Sequence, residues 1–210
     1  MIRDDAIARV RRGLGYDNRL NVSIIIDALK DAQNEVEQRS MLPWFLQSEI
    51  SSIFTIVGEE RIPTPVDFIL EIEAGALWVY DDSLSQPWIE LKKDDPIDLR
   101  TRFTEQGQPE FYAISDGYFR LFPTPDEEYT LKMIYYKQDV SLDSNVENKW
   151  LKYVPYLIIG LAGALLASQR FNDRAKATFE GWAQLADKKL DSLIEAREHA
   201  QRRYVMGGED

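Results

Sequence analysis

The segment WLKYVPYLIIGLAGALLASQR, Trp150–Arg170, decides the fold. As a helix it is apolar on nearly every side, so it has no face to give to water and must lie centrally, with neighbours around it. Its most apolar stretch, Val154–Ala167, contains Pro155, Gly160 and Gly163. It is shorter than the roughly 18–20 residues a bilayer span requires. A buried helix is therefore predicted, in a chain that is soluble and cytoplasmic when made. Gly160, Gly163, Ala164 and Ala167 put small residues along one side, where another helix can approach closely.

That other helix follows directly. Phe171-Asn172-Asp173 breaks the run, and either polar residue can cap a second helix reaching to about Tyr204. This helix is long and charged. Its larger apolar residues are Phe179, Trp182, Ala186, Leu190, Leu193, Ala200 and Tyr204, interrupted by Arg197. They recur about every 3.5 residues, the spacing of a narrow packing seam. The N-terminal end is also helical. In Val22–Arg39 the residues Val22, Ile25, Ile26, Leu29, Ala32 and Val36 form one apolar stripe. Asn21 is placed to cap it, and Pro43 lies just past its end. A shorter helix over Ile2–Arg12 stops at Gly13 and Gly15.

Between the helical ends the periodicity changes. Ile50–Val57 reads as a strand, and Ile62–Phe68 as a loop that opens a short helix. Leu77–Tyr80 and Trp88–Leu91 read as a hairpin closed by Asp81–Pro87. The clearest local signal is Ser115-Asp116-Gly117-Tyr118, because Asp-Gly suits the positive φ angles of a tight hairpin turn. It pairs Glu110–Ile114 with Tyr118–Phe122, and Tyr129–Tyr136 is expected to add a third antiparallel strand. The fold class expected is α+β, a helical bundle from the N- and C-terminal helices with a central antiparallel β-rich insertion. The expected boundaries are 1–48 and 145–195 for the bundle, 49–144 for the insertion and 196–210 for a C-terminal tail.

Catalytic and cofactor chemistry finds little support. The 210 residues include no cysteine, which removes disulfides, iron–sulfur clusters and thiolate sites together. His199 is the sole histidine and lies near the end of a charged helix, where an exposed imidazole is expected rather than a metal ligand or a triad member. The adjacent carboxylates at Asp4-Asp5, Glu59-Glu60, Asp81-Asp82, Asp94-Asp95 and Asp126-Glu127-Glu128 mostly fall in predicted turns. A divalent-ion site from Asp81, Asp82, Asp94 and Asp95 is conceivable, but no spacing demands it. There is no phosphate loop and no dinucleotide fingerprint. No catalytic residue, metal or cofactor is expected. The net charge of −11 opposes general nucleic-acid binding, while a wall that repels phosphate suits a conduit through which a duplex slides. Two basic clusters, Arg9/Arg11/Arg12/Arg19 and Arg197/Arg202/Arg203, are either solvated helix faces or docking points for an acidic neighbour.

Several phrases occur in a characteristic order: Met41-Leu-Pro-Trp44, Ile62-Pro-Thr-Pro-Val-Asp67-Phe68, the aromatic hairpin Phe111–Pro125, Leu131–Tyr136, an Asn-rich turn at Asn145–Asn148, and Tyr153-Val-Pro-Tyr-Leu-Ile158. Over residues 20–185 this order resembles the head-to-tail adaptor (head-completion, or connector) proteins of short-tailed phages. The resemblance implies a non-enzymatic virion neck protein assembled in the host cytoplasm. It also implies a ring, of about twelve copies by that likeness, beneath the portal protein, with DNA only as passing cargo. It places portal docking at the chain end, with Arg197, His199, Arg202, Arg203, Tyr204, Val205 and Met206 as candidates. The insertion, through Trp78, Tyr80, Trp88, Tyr118 and Phe119, would meet the tail nozzle or other tail proteins, or a neighbouring copy. The alternatives are another neck or tail protein such as a tail terminator, which would be more β-dominant, and a carboxylate–metal hydrolase.

Overall fold

The computed structural model describes residues 1–15, 20–81 and 88–206, with side chains in the last helix described to residue 197. In chain order the elements are α1 (Arg3–Gly13), α2 (Val22–Glu37), β1 (Gln47–Phe54), β2 (Arg61–Pro63), β3 (Phe68–Glu71), β4 (Leu77–Tyr80), β5 (Trp88–Glu90) and β6 (Lys92–Lys93). They continue as α3 (Pro96–Arg102), β7 (Phe111–Ser115), β8 (Tyr118–Phe122), β9 (Thr130–Lys137), α4 (Lys149–Tyr153), α5 (Pro155–Gln169) and α6 (Asp173–Met206). The architecture is α+β. Two compact units divide the chain: Met1–Leu46 with Asp139–Asp210, and Gln47–Gln138.

In the helical unit α5 occupies the centre and is met by α1, α2, α4 and α6. Leu157, Ile158, Ile159, Ala162, Leu166 and Ala167 are all buried. The expected helix Trp150–Arg170 is in fact two, because Pro155 lacks the N–H that would continue α4 and opens α5 instead. The small-residue side faces α6. A Cβ on Gly160 would lie 2.7 Å from both the Ala183 nitrogen and the Phe179 oxygen, and one on Gly163 would strike the Phe179 ring. Phe171 ends α5 at φ 54°, and Asn172 caps α6 by accepting from the Ala175 N–H at 3.1 Å. In α2 the Asn21 side chain accepts from Ser23 N at 3.2 Å. The buried stripe runs Ile25, Ala28, Leu29, Ala32 and Val36, leaving Val22 exposed.

A polar node lies inside this unit. Glu37 is only 4% exposed, and its Oε1 accepts from Gln33 Nε2 (2.9 Å), Trp150 Nε1 (2.8 Å) and Asp139 N (3.2 Å). Its Oε2 is buried with no hydrogen-bond partner. Asp139 in turn accepts from the Lys149 and Trp150 N–H groups, and Asn148 caps α4 through Leu151 N at 3.0 Å. Burial pushes the Glu37 carboxyl above its ordinary value, against the opposing hydrogen bonds from Gln33, Trp150 and Asp139.

The β-rich unit packs two sheets around a shared main core, and Leu99, Ala113 and Phe122 form a second, smaller cluster. One sheet runs β1-β9-β4-β5, with β3 also on β9; the other runs β2-β8-β7-β6. Ile62, Leu77, Val79, Phe119, Leu121, Leu131 and Met133 belong to a single buried cluster drawn from both sheets. The β7–β8 hairpin turns at Asp116 (φ 56°) and Gly117 (φ 77°), with Ser115 opposite Tyr118. Two expectations for this region change. Tyr129–Tyr136 does not extend that hairpin, because β8's other edge is taken by β2; β9 pairs instead with β1, β3 and β4. Ile62–Phe68 opens no helix but joins β2 to β3. Asp67 there accepts from the Tyr135 hydroxyl at 2.9 Å, while Phe68 stacks on Tyr135 and meets Phe119 edge-on.

Two outcomes test this account. Gly160→Ala gains about 1 kcal/mol in helix propensity. Overpacking against two fixed backbone atoms costs more, so we expect a net loss of about 1–3 kcal/mol in denaturant unfolding. Glu37 binds its proton more tightly folded than unfolded, so its contribution to stability is full below about pH 4.5 and is lost as pH rises through its elevated native value. The stability of wild type relative to Glu37→Gln should therefore fall as pH is raised from ~4 to ~8. A flat difference would refute the buried-carboxyl account.

Candidate docking surfaces

Where the last helix reaches the end of its described side chains, the Arg197 guanidinium stacks 4.3 Å over the Trp44 ring. Trp44 sits edge-on to Tyr153 and Phe45, Phe45 stacks on Tyr153 at 4.8 Å and meets Trp150 edge-on, and Lys149 Nζ donates to the Phe45 carbonyl at 2.5 Å. The phrases Met41–Trp44 and Tyr153–Ile158, far apart in sequence, thus share one aromatic nest, and Arg197 lies on it. Arg39 pairs with Asp187 alongside. Of the other chain-end candidates, His199, Arg202, Arg203, Tyr204, Val205 and Met206 fall within the span of α6, and their side chains lie outside the described residues.

The N-terminal basic cluster works within its own unit. Arg9 donates to the Tyr156 hydroxyl and lies 5.2 Å over that ring; Arg11 donates to the Leu20 carbonyl at 3.4 Å. Arg19 lies outside the described residues.

On the β-rich unit, strand alternation separates core from surface. Leu77 and Val79 point inward, while Trp78 and Tyr80 share the opposite face with their cross-strand partners Glu90 and Trp88. Lys132, opposite Trp78 on β9, holds its ammonium 4.9 Å from both the Trp78 and the Trp88 rings. Tyr80 is 40% exposed and abuts Trp88 edge-on at 5.2 Å. Trp78 is fixed by its indole N–H to the Gly75 carbonyl at 2.7 Å, and Gly75 N donates to Glu90 at 2.6 Å. The result is a rigid aromatic face carrying one captive cation. Lys132 was missed in sequence because its two tryptophans lie more than forty residues upstream and meet it only through strand pairing.

Tyr118 is half-buried beneath Arg61, whose guanidinium lies 5.8 Å from its ring. Phe119 corrects the expectation of surface contact. It is 0% exposed and belongs to the core, because successive residues along a strand point to opposite faces and Phe119 follows Tyr118 in β8. Asp94 and Asp95 are likewise explained locally: Asp95 caps α3 by accepting from Ile97 N at 2.8 Å, with Pro96 in the first turn. Among the described residues no group of three or more His, Cys, Asp or Glu is placed to hold a metal, and no helix is long and apolar enough to cross a membrane. Asp82 is outside the described residues.

Charge divides unequally between the units. Residues 47–138 hold 18 Asp and Glu against 8 Lys and Arg, a formal −10, which leaves −1 of the chain's −11 for the helical unit.

None of the curated proteins compared with the chain matches it. A family model described as SU10 adaptor protein matches residues 1–208, both units and nearly every residue between the termini. The chain belongs to that family, the phage SU10 adaptor proteins, and is a structural head-to-tail adaptor of a phage particle.

Proposed function

We propose that the protein is a non-catalytic ring component at the head–tail junction, docking on the portal through the end of α6 and on tail proteins or adjacent copies through the aromatic face of the β-rich unit. The family match over residues 1–208 carries this reading. The structure adds support for the direction of docking. At about 1.5 Å per residue the 34-residue α6 runs roughly 51 Å and the 15-residue α5 roughly 22 Å, so α6 far outruns the helix that buries it. Its seam is covered at Leu190 and opens at Leu193. The sequence beyond Ala196 supplies both basic residues (Arg197, Arg202, Arg203) and apolar ones (Tyr204, Val205, Met206) for such a contact.

The acidic excess of residues 47–138 also fits. Many carboxylates on one unit repel phosphate, so DNA passes without adhering, and they favour basic protein partners. The exposed Tyr80 ring and the half-buried Trp88 ring pack edge-on before any partner arrives, which reduces the ordering cost of docking.

Removing Ala196–Asp210 should abolish binding to portal rings, seen as loss of the stoichiometric ring by electron microscopy, while thermal unfolding of the remainder stays near wild type. Portal binding that survives the truncation would refute this docking site. The double variant Tyr80→Ala/Trp88→Ala should keep portal binding and lower tail attachment by at least about tenfold, as expected for loss of aromatic anchors; undiminished tail attachment would exclude this face as the tail contact.

A further inference from the structure

Helices α4 to α6 leave an apolar groove on the helical unit. Tyr153, Pro155, Tyr156, Trp182, Leu185 and Lys189 line it, and it holds about 350 Å³. Leu185 is 69% exposed within it. The rim is basic: Lys189 stands on the wall, and the Arg9 guanidinium lies over the Tyr156 ring. Lys152, next to Tyr153, is already paired with Glu147 at 2.7 Å, so Lys189 and Arg9 supply the charge.

The β-rich unit carries a feature of opposite form and charge. In the turn after β1, Ile56 is 71% and Val57 58% exposed, and Phe54 beside them is also turned to solvent. The backbone beneath is fixed. Gly58 N donates to the Pro125 carbonyl at 2.8 Å, Glu59 N to Ile56 O at 3.0 Å, and the buried Thr55 exchanges hydrogen bonds with Tyr129 and Glu127. Gly58, at φ +76°, takes a conformation that favours glycine. Exposed carboxylates surround this apolar tip: Glu59, Asp126, Glu127 and Glu128. Large apolar side chains on a rigid exposed turn are unusual without a partner.

We infer that the turn Ile56–Glu59 of one copy seats in the α4–α6 groove of the next, with Ile56 and Val57 against Tyr156, Trp182 and Leu185, and the acidic rim against Lys189 and Arg9. The inference rests on the ring reading and gives that ring its self-contact. Opposite charge around matching apolar centres selects a second copy over an acidic partner. Because knob and groove are different patches, the contact is heterologous, the kind that closes into a ring when the rotation between copies permits.

The chain has no cysteine, so single-cysteine variants report the contact directly. Full-length Val57→Cys and Leu185→Cys proteins are mixed and oxidised. A mixed disulfide dimer of twice the 24.3 kDa chain should dominate over dimers from either variant alone. Adding Lys189→Glu to the Leu185→Cys chain should cut its yield by about tenfold, the scale of one close interfacial charge pair. Melting temperatures of the variants, all at exposed positions, should match wild type. Wild-type self-association is followed in parallel by sedimentation. A chain that stays monomeric at every concentration, and forms no ring when portal rings are added, removes the ring reading and this contact with it. A chain that assembles without the mixed disulfide dimer, or whose Leu185→Cys variant links only to another virion protein, overturns the contact and leaves the ring reading standing.

Discussion

Helix α5 has no polar side, and most of the helical unit follows from that. A helix with so little polar surface needs cover on most sides, and α1, α2, α4 and α6 supply it, leaving Tyr156 and Leu165 partly exposed. The glycines on its α6 side cost about 1 kcal/mol each in helix propensity. Burial of Leu157, Ile158, Ile159 and Leu166 supplies roughly 6–12 kcal/mol as an upper bound. Packing therefore decides the matter, and the close α5–α6 approach that glycine allows increases what is buried. Because the covering helices come from both ends of the chain, residues 47–138 must leave the helical unit and return to it.

The return point is marked by charge. Asp139 is the first residue back in the helical unit, and its backbone N–H goes to Glu37 while its carboxylate takes the N–H groups that begin α4. Two carboxyls in a dry interior are a poor source of net stability, since desolvation offsets most of what their hydrogen bonds contribute. What they supply is position. Trp150 Nε1, Asp139 N and Gln33 Nε2 converge on one oxygen, and a shift of one residue in the returning chain would leave buried donors unpaired at about 1–3 kcal/mol apiece. The unpartnered Glu37 Oε2 is what that compromise leaves over.

Features decided by neighbours in sequence were legible in advance. The Asp116-Gly117 turn, the Asn21 cap and the small side of α5 each depend on a few adjacent residues whose chemistry has a single use. Features decided by distant partners were not. Nothing in Tyr129–Tyr136 says that β2 has already taken the edge of β8, or that β1, β3 and β4 all meet on β9. The helix at Pro96–Arg102 is too short to show periodicity, and its Asp95 cap reads equally well as one more turn carboxylate. Among the surface candidates the failure is geometric. Tyr118 and Phe119 are equally aromatic, and only the pairing register puts one at the surface and the other in the core.

The two units carry different physics for one particle. The helical unit is nearly neutral and owes its form to apolar burial; the β-rich unit holds ten of the eleven net negative charges. Like charges spread over a small unit repel one another and lower its stability unless a partner or counterions neutralise them. Lys132 between Trp78 and Trp88, and Arg120 held by Glu60, Ser115 and Asp116, show the unit using its few cations internally, to fix its own surfaces. Its remaining carboxylates have few cations within the unit to meet. On the proposed reading their partners are the basic rims of neighbouring copies, while carboxylates left unpaired repel the phosphates of passing DNA. The same excess charge would then hold the ring together and keep its cargo from sticking.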